Sequence, residues 1–324
     1  MNKKLVFTAL AVMTLAFTGC GAQTSTQVPA TSTEATVETA EETGTVTVVH
    51  SLGETPVPKN PKNIVVLELG ILDALSALEV EVAGVPLSSA LPEYLNSYTD
   101  ESVYTNVGSL KELDMEAIYA LEPELIIIGG RQADYYEELS KIAPTINLAV
   151  DNTDYMASFK TNMDYLGQIF GKEAEVAEKV AAVEEKVEAL TEKATEMDVT
   201  GLIALANDGA FSVYGPGSRF GIIHDTFGIK PVDETIEVST HGQNASFEYI
   251  VEQDPDYLFV VDRAAVVGGG TSAEELFSNE LMTTTSAYKN DNIVYLDANV
   301  WYTAGGGFTG TETMVDEIST ALDK

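Results

Sequence analysis

Asp114-Met115-Glu116-Ala117-Ile118, leading through Pro123-Glu124 into Leu125-Ile126-Ile127-Ile128 and reaching Arg131, returns later as Ser246-Phe247-Glu248-Tyr249-Ile250, Pro255-Asp256, Leu258-Phe259-Val260-Val261 and Arg263. Glu to Pro is seven residues in both copies and Pro to Arg is eight. Each copy reads as an N-capped helix, a turn opened by Pro, a buried strand, and an arginine just past the strand's C-terminal end. Two halves of the chain are therefore built to one plan.

Outward from the repeat, short β-branched apolar runs alternate with helical stretches: Val46 to Val49, Ile64 to Leu67, Ile146 to Val150, Leu202 to Ala206 and Ile293 to Leu296. Strands that alternate with helices predict an α/β fold with mainly parallel sheets. Between the halves, Lys172 to Met197 lacks Gly and Pro, and Val176, Val180, Val183, Val187, Leu190 and Met197 recur at helical spacing. One continuous helix of roughly 39 Å is expected from the rise per residue, read as a strut between lobes because its heptads are too few for a coiled coil. The expected organisation is an N-terminal lobe over 45–171, the interdomain helix over 172–197 and a C-terminal lobe over 198–324, each lobe Rossmann-like.

The start of the chain sets the compartment. Lys3 and Lys4 precede an apolar run from Leu5 to Phe17 that ends in Thr18-Gly19-Cys20. The run is short for a bilayer span and has the form of a secretory signal over 1–19. The single cysteine of the chain then becomes the expected lipid anchor on the extracytoplasmic face of a bacterial membrane. Residues 20–44, rich in Thr, Ala, Glu and Gln, form an expected flexible linker, because so few apolar groups cannot offset ordering entropy. Removal of Lys3 and Lys4 moves the formal charge from −34 to −36. A field of that sign repels phosphate backbones and excludes nucleic acid as a partner.

Against that charge the cations stand out. The chain has seventeen Lys and Arg together, of which only Arg131, Arg219 and Arg263 are arginine. Ligands of open parallel sheets bind at the carboxyl ends of strands, which sets Arg131 and Arg263 at the mouths of opposite lobes. Arg219 follows Tyr214-Gly215-Pro216-Gly217-Ser218 in a glycine-rich loop. Guanidinium cannot be titrated away and its planar fork holds several oxygens, so three in one cleft point to an anion with several oxygens; the alternative for each is a surface ion pair. His241 in Ser239-Thr240-His241-Gly242-Gln243 and Tyr302 in Trp301-Tyr302-Thr303-Ala304-Gly305-Gly306-Gly307 also fall on cleft-side loops. Imidazole and phenolate are donors that iron(III) accepts, although on bare spacing a satisfied loop histidine and a packed tyrosine are the safer reading.

Val57-Pro58-Lys59-Asn60-Pro61-Lys62-Asn63-Ile64-Val65-Val66, the helix-Pro-strand repeat, Gly215-Pro216-Gly217-Ser218-Arg219-Phe220-Gly221, Ser239-Thr240-His241-Gly242-Gln243 and Trp301-Tyr302 together resemble the helical-backbone (class III) iron-siderophore substrate-binding lipoproteins of ABC importers. Within that class they are most similar to catecholate receptors of the petrobactin type. The resemblance runs from about Thr45 to the C-terminus. It implies that Arg131, Arg219 and Arg263 contact catecholate oxygens, that His241 and Tyr302 complete iron coordination where the siderophore leaves positions open, and that Glu116 and Glu248 dock into the membrane permease. First-turn acids favoured by the helix dipole are the other reading of those two glutamates. The implied protein is a monomeric receptor with no intrinsic cofactor and a ferric siderophore as ligand. Haem or cobalamin capture, with His241 and Tyr302 as axial ligands, is the alternative. An enzyme is not expected, since the chain has no Gly-x-Ser-x-Gly elbow. His50 and His224 are read as structural, and three scattered histidines do not make a bare zinc or manganese site.

Overall fold

The computed structural model describes residues 44–87 and 89–324. The expected leader, the anchor at Cys20 and nearly all of the linker lie outside the described residues. Two large sheets carry most of the strands. The first is wholly parallel, in the order Thr105–Asn106, Gly84–Val85, Val65–Val66, Ile126–Ile128, Thr145–Asn147. In the second, Tyr257–Asp262 lies between Thr200–Asn207 and Ile293–Leu296, all parallel, while Ala210–Tyr214 and Gln243–Asn244 extend the edge antiparallel. The repeat supplies an interior strand to both sheets. Ile126, Ile127, Ile128, Leu258, Phe259, Val260 and Val261 are fully buried, which is why both copies read as unbroken apolar runs rather than alternating ones.

The repeat also recurs in its backbone. Helix Met115–Ala120 is capped by Asp114, whose Oδ1 accepts from the Ala117 N–H at 2.9 Å. The chain leaves helices Met115–Ala120 and Phe247–Gln253 through left-handed residues at matching places, Glu122 (φ 47°) and Asp254 (φ 43°), each just before its proline. The acids after those prolines do the same work. Glu124 accepts from the Lys62 N–H at 2.6 Å and Asp256 from the Thr200 N–H at 2.8 Å. One expectation changes: Ser246 holds the N-cap position without a side-chain cap bond, and its hydroxyl pairs with the Glu248 carboxylate instead.

The stretch Val46 to Val49 belongs to neither parallel sheet. Strand Thr45–His50 turns at Ser51-Leu52 and pairs antiparallel with Gly53–Pro58, burying Val46, Val48 and Val57 on one face. Helix Glu173–Met197 forms as expected, with Lys172 as its N-cap. Val176, Val183, Val187, Leu190 and Ala194 make its buried stripe, whereas Met197 at the end is 39% exposed. The stripe packs against helices Tyr155–Phe170 and Phe308–Ala321. Lys186 reaches Glu312 and Asp316 at 2.9 Å each.

The C-terminal helix Phe308–Ala321 also packs on helix Leu69–Ala77 of the first lobe. The approach is backbone to backbone. A Cβ on Gly70 would stand 2.1 Å from the Gly305 carbonyl oxygen, and one on Gly307 would stand 2.4 Å from that of Gly70. Buried Asp73 accepts from the Gly310 N–H at 2.8 Å, and the Tyr155 hydroxyl from the Gly306 N–H at 2.7 Å. The turn from Val300 to Ala304 therefore hangs between a strand of the second lobe and a seam fixed to the first.

Candidate functional site

Strand ends deliver the cations. Arg131 follows strand Ile126–Ile128 in a turn that begins at Gly130. Arg263 follows Tyr257–Asp262 as the first residue of a short helix, whose cap Asp262 accepts from the Ala265 N–H at 3.1 Å. Arg219 comes from the loop after Ala210–Tyr214. All three line one cavity of about 850 Å³ together with His241 and Tyr302.

The three guanidinium groups converge on Tyr302. Its carbonyl oxygen accepts from Arg131 at 2.5 Å and from Arg219 at 2.6 Å, so arginines of both lobes share one acceptor. Its phenol oxygen accepts from Arg263 Nε at 2.9 Å. Arg219 stacks over the Tyr302 ring at 4.1 Å from the centroid, with Arg131 at 5.5 Å and Arg263 at 5.8 Å. Burial alone would push the phenol up, but the Arg263 hydrogen bond and the charges of Arg219 and Arg263 outweigh it and hold Tyr302 below its ordinary range. Arg219 is pushed down, first by burial and then by the charge of Arg131. Cations that repel one another across a cavity are relieved by an anion placed between them.

His241 reaches the same cavity but makes no bond to this group. It is exposed, and its backbone N–H donates to the Ser239 hydroxyl at 3.1 Å. Glu116 and Glu248 are exposed in the first turns of their helices, away from the cavity lining. His50 pairs with Thr55 Oγ1 at 3.1 Å, and His224 Nδ1 lies 2.9 Å from the Ile229 carbonyl.

Other residues line the cavity that the sequence reading does not pick out for it, Glu68, Asn207, Lys111 and Tyr214 among them. Glu68 stands just past strand Val65–Val66, where the strand-end rule that picked out the arginines already pointed. Asn207 ends strand Thr200–Asn207, and its Oδ1 accepts from Arg263 at 2.5 Å. Lys111 follows a two-residue strand too short to see in the sequence. Tyr214 was noted only as part of the Arg219 loop; its buried hydroxyl has no protein partner. Trp301 also lines the cavity, its indole N–H donating to Glu317 Oε2 at 2.6 Å.

Two α/β lobes linked by a long helix, with an arginine-lined cavity at the ends of their strands, define a two-lobed substrate-binding protein. The chain belongs to the periplasmic binding protein family, whose profile matches residues 64–300. It is 43% identical to the petrobactin-binding protein YclQ of Bacillus subtilis, over 86% of this chain and 89% of that one. The crystal structure of YclQ superposes with a TM-score of 0.84, covering 86% of this chain and 99% of that chain. The periplasmic catecholate-siderophore binding protein VctP of Vibrio cholerae is 37% identical, with a TM-score of 0.80 over 85% of this chain and 99% of that one. The ferric-anguibactin-binding protein FatB of Vibrio anguillarum is 32% identical over 84% of this chain and 86% of its own.

Proposed function

We propose that this chain is the extracytoplasmic receptor of an ABC importer, that it captures an anionic ferric siderophore of the catecholate type between its lobes, and that it passes the complex to the membrane permease for iron uptake. The observation that carries the reading is the convergence of Arg131, Arg219 and Arg263 on Tyr302 within one cavity. Catecholate oxygens around iron(III) are close-set and negatively charged, the arrangement that forked guanidinium donors match. The relatives that bind petrobactin and catecholate siderophores support the ligand class.

In this reading the chain performs no chemistry on its ligand. Its residues hold and neutralise. Tyr302 and His241 line the cavity with oxygen and nitrogen donors, and they would complete the iron shell of a complex that leaves positions open. Glu116 and Glu248, at matching places in the two copies, serve as docking points for a permease with pseudo-twofold symmetry. Cys20 carries the lipid that keeps the receptor at the membrane.

The test is fluorescence. Trp301 and Tyr302 line the cavity, so ferric bis- or tris-catecholate is expected to quench emission, with little response to haem or cobalamin. Absence of quenching by any catecholate rejects the ligand class.

A further inference from the structure

An anion-binding cavity is lined here by one acid. Glu68 caps helix Leu69–Ala77, its Oε1 accepting from the Gly70 N–H at 3.5 Å. Its Oε2 fills the space beside the turn that carries Arg131: a Cβ on Gly129 would stand 1.8 Å from it. A side chain at Gly129 would displace the carboxyl from this position. The groups that face Glu68 are Arg131 from that turn, Arg219 from the second lobe, Tyr155 from helix Tyr155–Phe170, and the backbone N–H groups of Leu69 and Gly70.

Electrostatics make the position unusual. Burial drives the carboxyl above its ordinary range, and Arg131, the Gly70 N–H and Arg219 draw it only part of the way back. A ligand anion changes both sides of that balance: it engages the guanidinium groups and brings negative charge against the carboxylate. Two catecholates leave a ferric complex singly negative and three leave it triply negative, so the opposition grows with the ligand's charge.

Resting on the cleft's reading as a ferric catecholate site, we propose that Glu68 is a specificity residue that selects ligands by charge. As a carboxylate it opposes each negative charge brought into the cleft. A multiply charged complex therefore enters with one proton taken from solvent onto Glu68, and the neutral carboxyl then donates a hydrogen bond to a ligand oxygen.

The experiment compares the full chain with Glu68→Gln, which keeps an acceptor for the Gly70 N–H and cannot ionise. Affinity for a coordinatively saturated ferric tris-catecholate and for a ferric bis-catecholate is read by fluorescence quenching between about pH 5 and about pH 8. Ligand speciation is common to both proteins and cancels in their ratio. The variant is expected to match the unmodified protein at the acid end and then to bind the tris-catecholate more tightly, by up to about tenfold per pH unit, with a smaller gain for the bis-catecholate. A ratio that stays constant with pH, or equal gains for the two complexes, overturns the proposal while leaving the site in place. If the unmodified protein binds neither complex, the reading of the site falls and this inference with it. Should Glu68→Gln not fold, proton uptake is read on the unmodified protein by calorimetry with the tris-catecholate in two buffers of unlike ionisation heat: fractional uptake supports the proposal and none overturns it.

Discussion

The two copies of the repeat share a frame and differ at its tip. Pro123 and Pro255 both follow a left-handed residue; Glu124 ties its copy to Lys62, just before strand Val65–Val66, and Asp256 ties its copy to Thr200, the first residue of strand Thr200–Asn207. Beyond the strand the copies part. Arg131 sits in a glycine turn and holds the carbonyl of Tyr302; Arg263 opens a helix and holds its phenol. The inherited part fixes where each arginine emerges, and the divergent part decides which atom of Tyr302 it meets. A symmetric scaffold thus makes an asymmetric cage, which suits a ligand that presents different groups to the two lobes.

Four measurements break or sharpen this comparison. The largest effect is expected at the shared feature outside the cavity: Glu116→Ala with Glu248→Ala should abolish siderophore uptake in cells while capture in solution is retained, and normal uptake would reject the docking role. Next, Arg131→Ala with Arg263→Ala should weaken capture by about 10² to 10⁴, on the basis of about 1.5–3 kcal/mol for each charge-assisted hydrogen bond. Circular dichroism should show the fold intact, and unchanged affinity would place the site elsewhere.

The third separates the two arginines. Arg263 and Arg219 hold the Tyr302 phenol down, and Arg131 is bound to the carbonyl. Arg263→Ala should therefore raise the pH at which Tyr302 ionises in an ultraviolet titration, whereas Arg131→Ala should move it far less. Equal shifts would mean that the tips are equivalent after all. The smallest effect concerns the frame. Glu124→Ala should cost about 1 kcal/mol, since its bond to Lys62 is exposed, and Asp256→Ala about 2 kcal/mol, since it also holds the Thr200 hydroxyl at 2.8 Å in a partly buried setting. Urea denaturation of each variant checks the order.

Much of this was legible in the residues. The repeat, the mainly parallel character of the two large sheets and helix Glu173–Met197 follow from periodicity and turn chemistry, which are local. Arg131 and Arg263 could be grouped because strand ends obey a topological rule, and Arg219 joined them through its glycine-rich loop. Convergence on Tyr302 could not be read, since it depends on the C-terminal helix crossing to Leu69–Ala77 through a contact between glycine backbones, and no side-chain pattern records such a contact. The hairpin Thr45–His50 with Gly53–Pro58 was misplaced because Val46 and Val48 alternate like any half-buried strand, and only the turn at Ser51-Leu52 tells where it pairs. Lys111 stayed hidden because its strand, Thr105–Asn106, is two residues long.

The glycine seam bears on how such a receptor meets its importer. Because Gly70 and Gly307 leave no slack between backbones, the segment that carries Tyr302 is seated on the first lobe, and a hub so fastened would need little travel of the lobes to be filled. Empty and laden molecules would then offer nearly the same outline to the permease. Unladen copies would compete for the landing site, and a cell making far more receptor than transporter would import iron more slowly whenever the cargo is scarce.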